Sequence, residues 1–300
     1  MPFGRSDKSK IRQVFAATLP LLVSLGVHAP SHAETAAADD QGASGQAGSP
    51  QDAVQDKPPL WALSSFDLGF GASDESGKFR AAKNTNIAAA LTTATYRVDN
   101  LRLSASIPWM RIDSPGAVFT GIQGSPIIAN PGSTGGKTLR EGWGDLTLGA
   151  SYLLPEAPFL GVDTDLSVRV KLPTASRSSQ LSTGEIDSSV GSTFSKSLGR
   201  YSPLISVFYR HFGDGPEFQL KDGFATSFGT TYAFSSRVIG FLTYDFSQRA
   251  SQYIGDGHQI TTSLTALLPS SPIRLTGFAS AGLSHGAPGI SAGLSFSLKL

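Results

Sequence analysis

The sequence predicts an all-β protein, an antiparallel up-and-down transmembrane β-barrel of about twelve strands, and three observations predict it. From about residue 60 to the C-terminus, segments of strand length alternate apolar with polar residues. The connections between those segments alternate short with long. Charged residues make up only 16% of the chain, against roughly 25% in an ordinary soluble domain.

The alternation has period two, which puts one row of side chains on each face of a strand. Leu146, Leu148, Ala150, Tyr152 and Leu154 line one face, with Asp145, Thr147, Gly149 and Ser151 on the other. Val162 to Leu172 repeats the pattern against Asp163, Asp165, Ser167, Arg169 and Lys171. Phe224 to Phe234, Val238 to Phe246 and Ile290 to Leu300 do the same. The predicted strands are 61–72, 86–98, 100–111, 143–154, 160–173, 186–198, 203–212, 223–234, 237–249, 258–268, 273–284 and 289–300. Most are about twice the length usual in soluble sheets. No apolar run is long enough for a membrane-spanning helix.

Connections after the even strands are short: Asp99, 155–159, 199–202, 235–236 and 269–272. Those after the odd strands are mostly longer: 73–85, 112–142, 174–185, 213–222, 250–257 and 285–288. Tight turns at one end and long loops at the other are the asymmetry of outer-membrane barrels. Closure follows from the solvent, because hydrocarbon offers no partner to an unpaired backbone N–H or C=O. Trp61, Trp109, Trp143, Tyr152, Tyr244 and Phe296 are candidates for aromatic girdles at the two interfaces.

Residues 1–33 read as a cleaved signal peptide. Arg5, Lys8, Lys10 and Arg12 precede the apolar run from Val14 to Val27, and Ser31-His32-Ala33 supplies a cleavage site. Residues 34–59 are acidic and poor in apolar groups, as expected of a disordered periplasmic leader. The barrel domain is then 60–300, exported to the bacterial outer membrane, with both ends of the sheet on the periplasmic side.

Composition narrows the chemistry. The net charge of +1 gives no basic excess for nucleic acid, and the absence of Cys removes disulfides, thiolate zinc sites and cysteine nucleophiles. Beyond the signal segment the histidines are His211, His258 and His285. Asp256-Gly257-His258 is a superficial acid–base pair in a turn, where Asp and Gly serve turn chemistry. The sequence therefore predicts no enzyme, no metal site and no cofactor.

Several stretches carry a family likeness. Gly142-Trp143-Gly144-Asp145-Leu146-Thr147-Leu148-Gly149-Ala150, Lys171-Leu172-Pro173-Thr174, Ser182-Thr183-Gly184-Glu185-Ile186-Asp187, Ala281-Gly282-Leu283-Ser284 and Ser106-Ile107-Pro108-Trp109 occur in order over about 100–300. Together they resemble the outer-membrane proteins identified as transporters of the meta-pathway of phenol degradation. Ala175 stands where that family has Gly, and the chain ends in Leu300, not in Phe. The resemblance implies passage of small aromatic or otherwise hydrophobic compounds.

The strand phase turns Asp145, Asp163, Asp165, Arg169, Lys171, Asp245 and Arg249 into the lumen as a solute pathway. In the long connection 112–142, apolar Phe119, Ile122 and Ile127 are candidates for a constriction folded inward, with a free outer loop as the alternative. The function expected is an outer-membrane channel or transporter for small solutes. The alternatives are a closed barrel with an adhesion or envelope-integrity role, and a hydrolase at the rim. Its partners would be outer-membrane lipid, the barrel-assembly machinery through the C-terminal strand, and a small-molecule solute.

Overall fold

The computed structural model describes residues 64–79, 84–122, 126–130, 139–154, 161–213, 215 and 219–300. The expected signal peptide (1–33), the expected leader (34–59) and Trp61 lie outside the described residues.

The chain runs through β1 (Ser64–Gly77), β2 (Thr85–Val98), β3 (Leu101–Asp113), β4 (Ala117–Thr120), β5 (Pro126–Asn130), β6 (Leu139–Trp143), β7 (Leu146–Leu154) and β8 (Asp163–Leu172). It continues as β9 (Asp187–Ser195), β10 (Tyr201–His211), β11 (Gly223–Ala233), β12 (Val238–Ser247), β13 (Gly257–Leu267), β14 (Ile273–Gly282) and β15 (Ile290–Lys299). Neighbours in sequence pair antiparallel, and β1 pairs with both β2 and β15, so the sheet closes. Both β6 and β7 pair with β3 and form one interrupted strand, which makes the barrel twelve-stranded. The pair β4–β5 is a separate hairpin within the predicted long loop. Strands about 4.8 Å apart and tilted about 40° give such a barrel a backbone diameter near 24 Å.

Alternation sorts the side chains as the period requires. On β10, Tyr201, Pro203, Ile205, Val207 and Tyr209 are exposed, while Ser202, Leu204, Ser206, Phe208 and Arg210 are buried. Exposed Leu148, Leu166, Phe228, Leu242, Leu264 and Leu294 continue the outer row around the wall. A belt this apolar would drive aggregation in water and is satisfied by hydrocarbon. Aromatic contacts edge it at both ends. Tyr201–Tyr232 and Tyr232–Phe234 lie at the short-turn end, with ring centroids 4.6 and 4.9 Å apart. Tyr209–Phe224 lies at the long-loop end at 5.4 Å. Tyr209 stands eight positions after Tyr201 on β10. At about 3.3 Å per residue and 40° of tilt they span roughly 20 Å of depth, near the height of an outer-membrane apolar band.

The turns at the short end explain themselves locally. Asp99 takes the left-handed conformation (φ 48°) that a two-residue hairpin needs and Asp tolerates. Between β11 and β12, the Ser235 hydroxyl accepts from the N–H groups of Arg237 and Val238.

One irregularity shapes the interior. The register is Ser106↔Thr147 on β7 and Trp109↔Trp143 on β6, so the β6–β7 strand carries one extra residue at Gly144-Asp145. This is a β-bulge, and its cause lies on β3. Pro108 has no N–H to give the ladder, and its carbonyl instead accepts from Gly144 N–H at 2.8 Å. A side chain at Gly144 would collide with Met110 and Pro108. The bulge reverses the phase, so that Arg140 before it and Asp145 after it both point inward and are buried.

Candidate functional site

The lumen wall carries charge in tiers. Near the short-turn end, Arg97 Nη1 donates to Asp67 Oδ2 at 2.7 Å. Arg102 and Arg169 lie within electrostatic reach of Asp165, whose Oδ1 accepts from Ser167 at 2.6 Å. Arg169 extends over the Phe208 ring, 6.0 Å from its centroid. Toward the long-loop end, Lys171 Nζ bridges Asp187 at 2.7 Å and Asp145 at 3.2 Å, with all three side chains at most 5% exposed. The opposite wall, β11 to β15, turns in a lane of buried hydroxyls that includes Ser227, Thr243, Thr261, Ser280 and Ser291.

The same acids tie the long connections down. Asp145 accepts from Ala175 N–H at 3.1 Å and from the Ser182 hydroxyl at 2.6 Å, and Asp187 accepts from Gly213 N–H at 3.2 Å. Arg140 donates to the carbonyls of Gly116 at 2.8 Å and Gln180 at 3.3 Å, joining two loops to the rim.

Above these charges two apolar clusters cross the long-loop mouth. Phe79, Ile87, Met110, Ile112, Leu181 and Ile254 form one. Phe119, Ile122, Phe212, Leu220 and Ala250 form the other. The connection between β3 and β6 thus meets segments following β10 and β12, nearly across the barrel from its own root. Contacts of that kind require the loop to fold over the mouth, and they make an apolar cap on a polar lumen.

The predicted pathway residues take these places. Asp145, Asp165, Arg169, Lys171 and Asp245 are buried on the inner face, and Asp163 opens β8 half-buried at the short-turn end. Arg249 is a correction. β12 ends at Ser247, Gln248 pairs with Phe224, and the chain turns Ala250 into the cap, leaving Arg249 exposed outside the strand. Phe119 and Ile122 are 3% exposed in the cap, and Ile127 pairs with Phe119 along the β4–β5 hairpin. The Asp256–His258 pair does not form. Asp256 accepts from Arg249 N–H at 2.9 Å, and His258 Nδ1 lies 2.6 Å from the Tyr244 hydroxyl. Sequence reasoning missed the pair that does form, His211 Nδ1 with Asp222 at 2.8 Å, because eleven residues separate the two. It also missed Arg140, whose inward phase depends on the bulge. Among the described residues, no group of His, Asp and Glu could hold a metal ion.

A capped, polar-lined transmembrane β-barrel is the class these features define. No family model and no curated protein sequence matches the chain. Solved structures do. An outer-membrane channel from Pseudomonas putida F1 superposes with a TM-score of 0.59 at 12% identity, covering 84% of this chain and all of that one. The KdgM porin gives 0.46 at 8% identity, with 77% of this chain and 98% of that one covered. The monoaromatic hydrocarbon channel CymD gives 0.45 at 10%, with 78% and 88% covered. At 12% identity the superposition on the Pseudomonas putida channel supports the fold alone.

Proposed function

We propose that the protein is a bacterial outer-membrane channel that admits small solutes, aromatic or otherwise hydrophobic ones among them, through the apolar cap into a hydroxyl- and charge-lined lumen. The observation that carries this reading is the vertical arrangement of the interior. An apolar layer of Phe79, Ile112, Phe119, Ile122 and Phe212 faces the long-loop side, and below it charged and hydroxyl side chains share the wall with a few inward apolar groups, Leu91, Phe208, Phe241 and Phe278 among them. A hydrophobic compound partitions into such a layer, and the polar wall beneath offers it only weak, reversible contacts. The resemblance of the Gly142 to Ala150 and Lys171 to Thr174 segments to transporters of phenol degradation supports the same substrate class. The long loops would face outward and residues 1–33 would direct export.

Liposome swelling tests the reading. Vesicles holding the refolded protein should swell in small neutral solutes. A Phe119→Ser/Ile122→Ser variant should swell several-fold faster, because the cap loses its largest apolar groups. Impermeable vesicles in both cases would sink the channel reading, and equal rates would remove the cap's role.

A further inference from the structure

We propose that Asp245, with Ser227, Thr243, Gln259 and Thr261, forms a lumenal site for a single positive charge, either an alkali ion or the primary ammonium group of a solute. The inference rests on the channel reading and adds a ligand chemistry to it. Register builds the site. Ser227, Asp245 and Gln259 share one rung across β11, β12 and β13, and Thr243 and Thr261 share the inward rung beside it.

Asp245 stands apart from the other lumenal aspartates. Asp67 lies against Arg97, Asp145 and Asp187 share Lys171, and Asp165 is close to Arg102 and Arg169. Asp245 is 8% exposed, and its Oδ2 accepts from Thr261 at 2.8 Å and Thr243 at 3.2 Å. Its buried Oδ1 makes no hydrogen bond of ordinary length, although the Ser227 hydroxyl and the Gln259 side chain lie near enough to interact with the carboxylate, and no Lys or Arg among the described residues pairs with it. Arg210, two strands away on β10, donates instead to Gln248 O at 2.6 Å.

A buried carboxylate held only by neutral groups, with one oxygen short of a close hydrogen bond, invites a counter-charge. The surrounding donor set is all oxygen: one carboxylate, three hydroxyls and one side-chain amide. Hard monovalent cations and ammonium groups take such sets, whereas transition metals prefer imidazole or thiolate. A single formal charge matches a monovalent guest. Asp245 lies two residues before the long-loop end of β12, on the cap side of the lumen.

The experiment uses the refolded protein in planar bilayers under a KCl gradient. The wild type should be cation-selective, and Asp245→Asn should lower the potassium-to-chloride permeability ratio at least threefold. Benzylammonium should block wild-type current, and the block should weaken at least fivefold in Asp245→Asn if an ammonium head is the guest. A fall in the permeability ratio with unchanged block assigns the site to alkali ions. Unchanged ratio and unchanged block overturn the proposal.

Absence of current in both proteins defeats the channel reading instead, and a second readout still decides the site. In detergent, replacing choline by potassium or by benzylammonium should raise the unfolding temperature of the wild type in at least one case and leave that of Asp245→Asn unmoved in both. An equal response in the two overturns the proposal. Thr261→Val, which keeps the charge, serves where Asp245→Asn fails to fold and should weaken each effect in part.

Discussion

Replacing Lys171 by Met should destabilise the barrel by about 3–5 kcal/mol, the range that breaking a buried ion pair costs. Lys171 lies 2.7 Å from Asp187 and 3.2 Å from Asp145, and the three side chains are at most 5% exposed. At an effective dielectric near 20, each contact represents roughly 5–6 kcal/mol of attraction before desolvation is subtracted. Methionine fills the volume but leaves two carboxylates facing one another without a cation. At about 1.4 kcal/mol per tenfold, the folding equilibrium should fall by a factor of at least a hundred.

Urea unfolding in lipid vesicles, followed by the fluorescence of Trp109 and Trp143, measures the loss. Adding Asp145→Asn and Asp187→Asn to Lys171→Met removes the stranded charges and should restore most of it. A Lys171→Met barrel within about 1 kcal/mol of wild type would refute the reasoning, since that is the scale of exposed ion pairs.

Further expectations concern the outer wall, the lumen packing and the rim. Leu242→Arg, on the exposed face at the middle of β12, should cost about 2–4 kcal/mol in a bilayer. Unfolding in vesicles checks it, and a neutral effect would mean that this face does not meet hydrocarbon. Gly293→Ala should cost about 1–3 kcal/mol, because the Phe278 ring occupies the space a methyl group would need; the same assay reads it. Asp222, outside the spanning strands, should titrate below the ordinary carboxylate value of about 3.9. Burial pushes its carboxyl up, but hydrogen bonds from His211, the Phe212 N–H and Tyr209 outweigh burial and hold it down. The lowered value means that these contacts stabilise the rim above the ordinary carboxylate range, and that this contribution disappears as pH falls through the folded value. Carbon-13 NMR of the Asp222 carboxyl checks the direction, and a midpoint at or above the ordinary value would contradict it.

The strands were legible because hydrocarbon on one side of a sheet enforces alternation, which β8 shows clearly and β12 keeps in burial even though Ile239 and Phe241 are apolar on its inner face. The inward position of Asp145, Asp165, Arg169, Lys171 and Asp245 followed from that phase alone. What could not be read depended on partners far away in sequence. The bulge at Gly144-Asp145 arises from Pro108 on the neighbouring strand, and without it Arg140 takes the wrong face. The cap draws Phe79, Leu181, Phe212 and Ile254 from separate connections that have no periodicity, so only the closed barrel brings them together. Arg249 was misplaced because alternation does not say where a strand stops.

Planar-bilayer recording of the refolded protein tests the central claim most directly. The account predicts discrete conductance steps that grow in the Phe119→Ser/Ile122→Ser variant. Silent membranes for both proteins, with the barrel shown to be folded and inserted, would contradict it.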